Sequence, residues 1–465
     1  MSDLQVMTIT EGRIVLADTA VQQLRARLRG ELLLPSDARY DDTRKVWNGM
    51  VDKRPALIFR CAGVADVIHA VKFARDHNLL VSVRGGGHNI AGKAVCDGGL
   101  MIDLARMRSV HVDPVKRTAR VEGGATLGDL DHETQAFGLA TTAGVVTHTG
   151  VAGLTLGGGI GRIGRKYGLA CDNLLSVDVV TADGQFLRAS ATENADLFWG
   201  IRGGGGNFGI VTSLEFQLHP VGPVVLGGVI IHPLREAREI LRFYAQYSRT
   251  APDELAADAV LLTSPEGEPV LAISVCYIGS LEEGERILQP LRRLGSPLAD
   301  QISPIAYTQL QAAGDAFFPT GLYYYWKTHF MAEISDDAVE ATVSHFATVP
   351  SPRSVIVFQQ YGGAVSRVGH AATSFSHREA QYDFIPTSIW TDFTESENQM
   401  NWVRQLWETM KPFSTGGEYV NNLGEEGEDR VRAAYGGNHE RLVVLKNRYD
   451  PTNFFRLNAN IKPTV

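Results

Sequence analysis

A chain of 465 residues, 44% hydrophobic and 21% charged, is long enough to bury a large core and to divide into roughly two to three domains. Its formal net charge of −8 excludes the basic footprint of a nucleic-acid-binding protein, and no apolar run reaches the length of a membrane span. Cys61, Cys96, Cys171 and Cys276 lie too far apart for a metal-site spacing and fit buried free thiols in a reducing compartment. The opening MSDLQVMTIT lacks a signal pattern, so a soluble, cytoplasmic protein is expected.

Apolar spacing predicts a helix over 15–30, a short strand over 56–60 and an amphipathic helix over 63–77. Val81 and Val83 then alternate with Ser82 and Arg84 as in a strand end, and Gly85, Gly86, Gly87, His88 and Asn89 follow. Three successive glycines let the backbone approach a flat or phosphorylated ligand and take positive φ, and their N–H groups can form an anion nest. A plain glycine turn with a solvent-facing histidine is the competing reading. Further strands are expected over 100–107, 109–113 and 118–124, and Thr126 is placed to cap a helix through Gln135.

A second glycine-rich region runs from Gly144 to Gly168, and a strand at 176–184 and a helix at 195–200 follow it. A third glycine loop, RGGGGNFG, feeds a strand ending at 218. Gly159–Gly164 and Gly204–Gly209 match GxGxxG literally. The first lacks a preceding strand and the second runs straight into one, so a nicotinamide-binding fingerprint is rejected. After Pro220 and Pro223 the glycine clusters stop. Strands at 224–231, 256–262, 270–278 and 354–363 alternate with helices at 235–247, 282–294, 336–347 and 396–411, the pattern of an antiparallel sheet with helices on one face.

Taken together, RGGGH at 84–88, the block GVVTHTGVAGLTLGGGIGRIGRKYGLACDN, the RGGGGNFGIVT loop and the ending YDPTNFFRLNANIKP resemble the vanillyl-alcohol oxidase / p-cresol methylhydroxylase superfamily, berberine bridge enzyme-like subgroup. The resemblance spans the chain. It implies an α+β fold with a two-lobed FAD-binding domain of PCMH type over 1–221. A substrate domain with an antiparallel sheet over 222–413 follows, and a C-terminal segment over 414–465 returns to the FAD domain. It also implies FAD bonded covalently through His88. Val146 stands where many relatives have a cysteine, so a second flavin bond is not expected, and Cys171 is read as structural.

The resemblance assigns the cofactor to several stretches. Arg84, Gly85, Gly86, Gly87, His88 and Asn89 form the first. Gly144, Val145, Thr149, Gly150, Gly153, Leu156, Gly158 and Gly161 form the second. Ile210 and Val211 follow, with Tyr419, Asn421, Asn458 and Asn460 near the end. Turn chemistry is the competing reading for the asparagines. Catalytic candidates are Tyr419, Gln359, Thr149 and Tyr323, with Tyr419 placed first as proton acceptor or substrate anchor. Glutamine cannot act as a base, and the aromatic run that holds Tyr323 reads equally as a core strand. His148 either faces the substrate or packs in its loop. No metal site is expected.

The implied activity is oxidation of a small alcohol, amine or sugar-like substrate, with molecular oxygen as acceptor and hydrogen peroxide as product. The alternatives are a flavin-dependent oxygenase of secondary metabolism acting on a polyketide-like substrate, and a non-catalytic flavin-binding protein. Neither a membrane nor a nucleic-acid partner is expected, and the oligomeric state stays open.

Overall fold

A computed structural model describes residues 4–425 and 427–465. Three large sheets organise an α+β fold. The first has four strands in the order Glu31–Leu33, Leu57–Arg60, Leu100–Asp103, Val81–Arg84. Leu57–Arg60 and Val81–Arg84 both run parallel to Leu100–Asp103. Parallel neighbours need a crossover, and the helix Val64–Asp76 supplies it, burying Val67, Ala70, Val71 and Ala74 in the core shared with Leu57, Phe59 and Ile102.

The second sheet is antiparallel, in the order Phe186–Ser190, Leu174–Val180, Ile210–Gln217, Thr118–Glu122, Val110–Asp113. The helix Leu127–Gln135 starts where the sequence places its cap. The Asp129 N–H donates to Thr126 Oγ1 at 3.4 Å, and Asp129 Oδ2 accepts from the Thr126 N–H at 2.9 Å.

The third sheet has nine antiparallel strands. Its main path is Ala299–Asp300, Val224–Pro233, Pro269–Tyr277, Leu255–Thr263, Val355–Gln360, Tyr382–Trp390, Tyr323–Trp326. Ser303–Ala306 also pairs with the second of these strands, and His329–Met331 with the sixth. Helices Ala237–Thr250, Leu281–Arg292, Asp336–Phe346 and Ser396–Met410 bury their apolar stripes on one face, through Leu241, Leu288, Val339 and Leu406 among others. The opposite face is left to line a cavity.

The strand Tyr382–Trp390 has no counterpart among the sequence expectations. Pro386 interrupts the run, and a proline argues against a strand interior. Here it sits opposite Ile356 within the sheet.

The last stretch forms helices Glu428–Tyr435 and His439–Tyr449. Leu442 and Leu445 join the core of the second sheet, and Phe454 and Phe455 join that of the first. A buried ion pair pins this return: Lys446 Nζ donates to Asp450 Oδ2 at 2.7 Å and to the carbonyls of Asn207 and Phe455, both at 2.9 Å. Asp450 in turn accepts from the N–H groups of Phe454 and Phe455.

Candidate active site

A single cavity of about 1570 Å³ runs from the three glycine loops to the open face of the nine-stranded sheet. It is larger than the usual small-molecule site of about 300–1,000 Å³, so it has room for a sizeable cofactor and a substrate together.

The first glycine loop needs its glycines for close approach. A Cβ on Gly86 would lie 2.3 Å from the backbone nitrogen of Gly150, and Gly87 has φ of +72°. Gly85, Gly86, Gly87, His88 and Asn89 all line the cavity. Arg84 does not. Its guanidinium holds Asp103 through Nε–Oδ1 (3.0 Å) and Nη2–Oδ2 (2.7 Å), and Nη1 donates to the carbonyls of Thr43 and Lys45. The expectation that Arg84 contacts the cofactor is therefore corrected: it buttresses the loop from behind.

His88 is fixed on three sides. Its ring stacks on Trp47 with centroids 4.8 Å apart, Nε2 lies 2.6 Å from His148 Nδ1, and Nδ1 lies 3.4 Å from Thr149 Oγ1. Burial, reinforced by the neighbouring His148, pushes its pKa down to about 3, so the ring is neutral at physiological pH. The histidine is not the solvent-facing residue of a plain turn. His148 takes the in-loop position, against His88.

From the second glycine region, Gly144, Val145, Val146, Thr149, Gly150, Gly153 and Leu156 line the cavity. A Cβ on Gly153 would meet nothing within 4 Å, and the same is true of Gly206 in the third loop. Larger side chains there would enter the open space. Gly158 and Gly161 do not line it. A Cβ on Gly158 would press on Phe375 at 2.9 Å, and one on Gly161 would lie 1.6 Å from the Ala143 carbonyl oxygen. Both expectations of cofactor contact are corrected to backbone packing. Ile210 and Val211 line the cavity beside Gly205, Gly206 and Gly209.

The C-terminal segment brings Tyr419, Asn421, Asn422 and Asn458 to the same wall. Asn458 Nδ2 donates to the carbonyls of Gly206 (3.2 Å) and Phe455 (3.0 Å), and its Oδ1 is buried without a partner among the described residues. Asn460 lies apart, in a small hollow with Glu428, Arg432 and Lys462, which corrects its expected role.

Tyr419 is occupied differently from a base. Its hydroxyl oxygen accepts from the Gly159 N–H at 2.8 Å and from Asn421 Nδ2 at 2.7 Å, while burial raises its pKa far above the ordinary tyrosine range. Burial disfavours the phenolate that a proton acceptor would need, while the two donors on the oxygen suit an anchor in the cavity wall. Tyr323 is absent from the cavity wall. It packs edge-on against Trp390 (5.9 Å) and Phe393 (6.1 Å), the core-strand reading of that run. Gln359 does line the cavity.

Sequence reasoning missed several wall residues. Trp47, Lys93 and Asp258 line the cavity outside any motif, and Arg162 lines it from within the second glycine block without having been singled out. Asp383, opposite Gln359 in the strand register, accepts from Asn422 Nδ2 at 2.9 Å, and burial, followed by the nearby Glu418, pushes its carboxyl well above the usual range.

A flavin dinucleotide fits these residues. Cβ-free positions open into the space, the orphaned Oδ1 of Asn458 offers an acceptor, and the neutral imidazole of His88 stands in the wall. Fold and site define an FAD-dependent oxidoreductase. Residues 55–190 match the FAD binding domain family, and 418–462 match the berberine and berberine-like family. An FAD-linked oxidoreductase of Dictyostelium discoideum is 36% identical, over 92% of this chain and 93% of its own length. The crystal structure of 6-hydroxy-D-nicotine oxidase from Arthrobacter nicotinovorans superposes with a TM-score of 0.86 at 31% identity, covering 94% of this chain and 98% of that one. A chitooligosaccharide oxidase structure does so with a TM-score of 0.86 at 25% identity, over 96% and 100% of the two chains. The chain belongs to the berberine bridge enzyme-like family of FAD-linked oxidoreductases. Among the described residues, no helix is long and apolar enough to cross a membrane.

Proposed function

We propose that the chain is an oxidase that removes a hydride equivalent from a small organic alcohol or amine, with FAD carried covalently on His88 and molecular oxygen reduced to hydrogen peroxide. The observation that carries this reading is the continuity of one cavity from the glycine cradle around His88 to the sheet face bearing Gln359. When bound, FAD supplies the two-electron acceptor. The glycine loops and the tail asparagines would hold it. The sheet face would hold the substrate, and its wall residues Val260, Val270, Val355, Val357 and Ile385 favour an apolar body over a sugar. Val146 at the position of the second flavin bond leaves His88 as the single attachment point. The same division of labour supports three units, an FAD domain over 1–221, a substrate domain over 222–413 and a returning segment over 414–465.

Anaerobic mixing of the holoenzyme with 6-hydroxy-D-nicotine, a panel of aryl alcohols and aryl amines, and a chitooligosaccharide tests the reading. Bleaching of the flavin by an aryl compound, followed by stoichiometric peroxide when oxygen is readmitted, is expected. A flavin that no compound bleaches, or reoxidation without peroxide, contradicts it.

A further inference from the structure

The sheet face that closes the cavity is apolar apart from a few positions. One is Gln359, which cannot take a proton. The register pairs Ala259 with Phe358 and Val260 with Val357, so its continuation sets Asp258 opposite Gln359 on the neighbouring strand. Both line the cavity. The backbone N–H of Gln360 donates to Asp258 Oδ1 at 2.9 Å, which fixes the carboxyl, while Oδ2 has no hydrogen-bond partner among the described residues. Arg162 lines the same cavity and acts on Asp258 through its charge, with its own Nε buried and without a hydrogen-bond partner among the described residues.

We propose that Asp258 is the proton acceptor of the oxidation, supplying from the adjacent strand the carboxylate that Gln359 lacks. The proposal rests on the oxidase reading above. As the substrate O–H or N–H bond breaks, its proton goes to Asp258 Oδ2. The neighbouring C–H hydrogen leaves with its electron pair as the hydride equivalent assigned to FAD. The substrate ends two electrons oxidised, as a carbonyl or imine, and Asp258 ends as a neutral carboxyl that returns its proton to water.

Electrostatics suit the role. Burial pushes the Asp258 carboxyl up to about 6, with the Gln360 N–H and then Arg162 pulling it back. It is therefore ionised at neutral pH yet basic enough to accept a proton. The other titratable groups near it are Tyr361 just past the end of the next strand, Tyr244 on the helix packed under the sheet and Cys276 on the other neighbouring strand. Burial raises all three, Cys276 to about 12, so they stay neutral and Arg162 is the charge that Asp258 meets.

Two measurements on holoenzyme test this. Infrared titration of wild type should show a carboxyl titrating near pH 6 that Asp258→Asn removes. In anaerobic single turnovers with the aryl panel, Asp258→Asn should slow flavin reduction by about a hundredfold at unchanged flavin content, with Asp258→Glu restoring part of the rate. A carboxyl titration unaffected by Asp258→Asn, or a wild-type reduction rate in that variant, overturns the proposal alone. A wild-type flavin that no compound reduces overturns the oxidase reading and the proposal with it.

Discussion

His88 Nε2 lies 2.6 Å from His148 Nδ1, and burial keeps His88 neutral, so a single proton is shared across the contact. When His148 accepts, the lone pair of His88 is placed on Nδ1, the atom beside Thr149 Oγ1. His148→Leu deletes that partner while keeping bulk. Flavin attachment during reconstitution with FAD, followed as in-gel flavin fluorescence against time, should slow by about tenfold or more. Attachment at the wild-type rate would show that His148 only fills space.

Thr149 lines the cavity beside His88 and brings a small, branched side chain to it. Thr149→Leu adds bulk at that point. Reoxidation of chemically reduced enzyme by oxygen, recorded by stopped flow, should slow by about tenfold or more, while anaerobic flavin reduction keeps its rate. Equal reoxidation rates would remove Thr149 from oxygen access.

Lys446 and Asp450 are both fully buried and hydrogen-bond the third glycine loop to the C-terminal segment. Burial lowers the Lys446 pKa and Asp450 pulls it back. Lys446→Met strands a buried carboxylate and two carbonyl acceptors, at a cost of about 3 kcal/mol or more. Denaturant unfolding should show the midpoint falling accordingly, and loss of less than about 1 kcal/mol would mean that the segment is held elsewhere.

How much of this was legible in the sequence depended on contiguity. The RGGGH run marks its loop because the glycines and the histidine are adjacent, and Thr126 marks its helix because capping chemistry is local. The same contiguity misplaced Arg84, Gly158 and Gly161, which share those runs but face away from the cavity. Asp258 was invisible. AADAVLL reads as an apolar strand with one acid, and only strand register, a long-range property, brings it beside Gln359. The strand Tyr382–Trp390 was hidden by Pro386 for the reason that makes proline a poor strand former.

Asp131 is buried, with Gln311 Nε2 donating to its Oδ2 at 3.2 Å. Burial raises its carboxyl from 3.8 to about 7. Across that interval the folded chain holds a proton that the unfolded chain has released, so stability falls as pH rises through it. Asp131→Asn cannot ionise. The unfolding free energy of the variant should decline less between the unfolded carboxyl pKa and neutrality, and the gap to wild type should be widest above pH 7. Parallel pH profiles would place the titration elsewhere.

The most direct test is where the flavin goes when the holoenzyme is denatured. Acid precipitation followed by peptide mapping should leave the yellow chromophore in the pellet, on the peptide that contains His88, and His88→Ala should release it to the supernatant. Flavin found wholly in the supernatant of wild type, or mapped to a peptide carrying Cys96 or Cys171, would contradict attachment through His88.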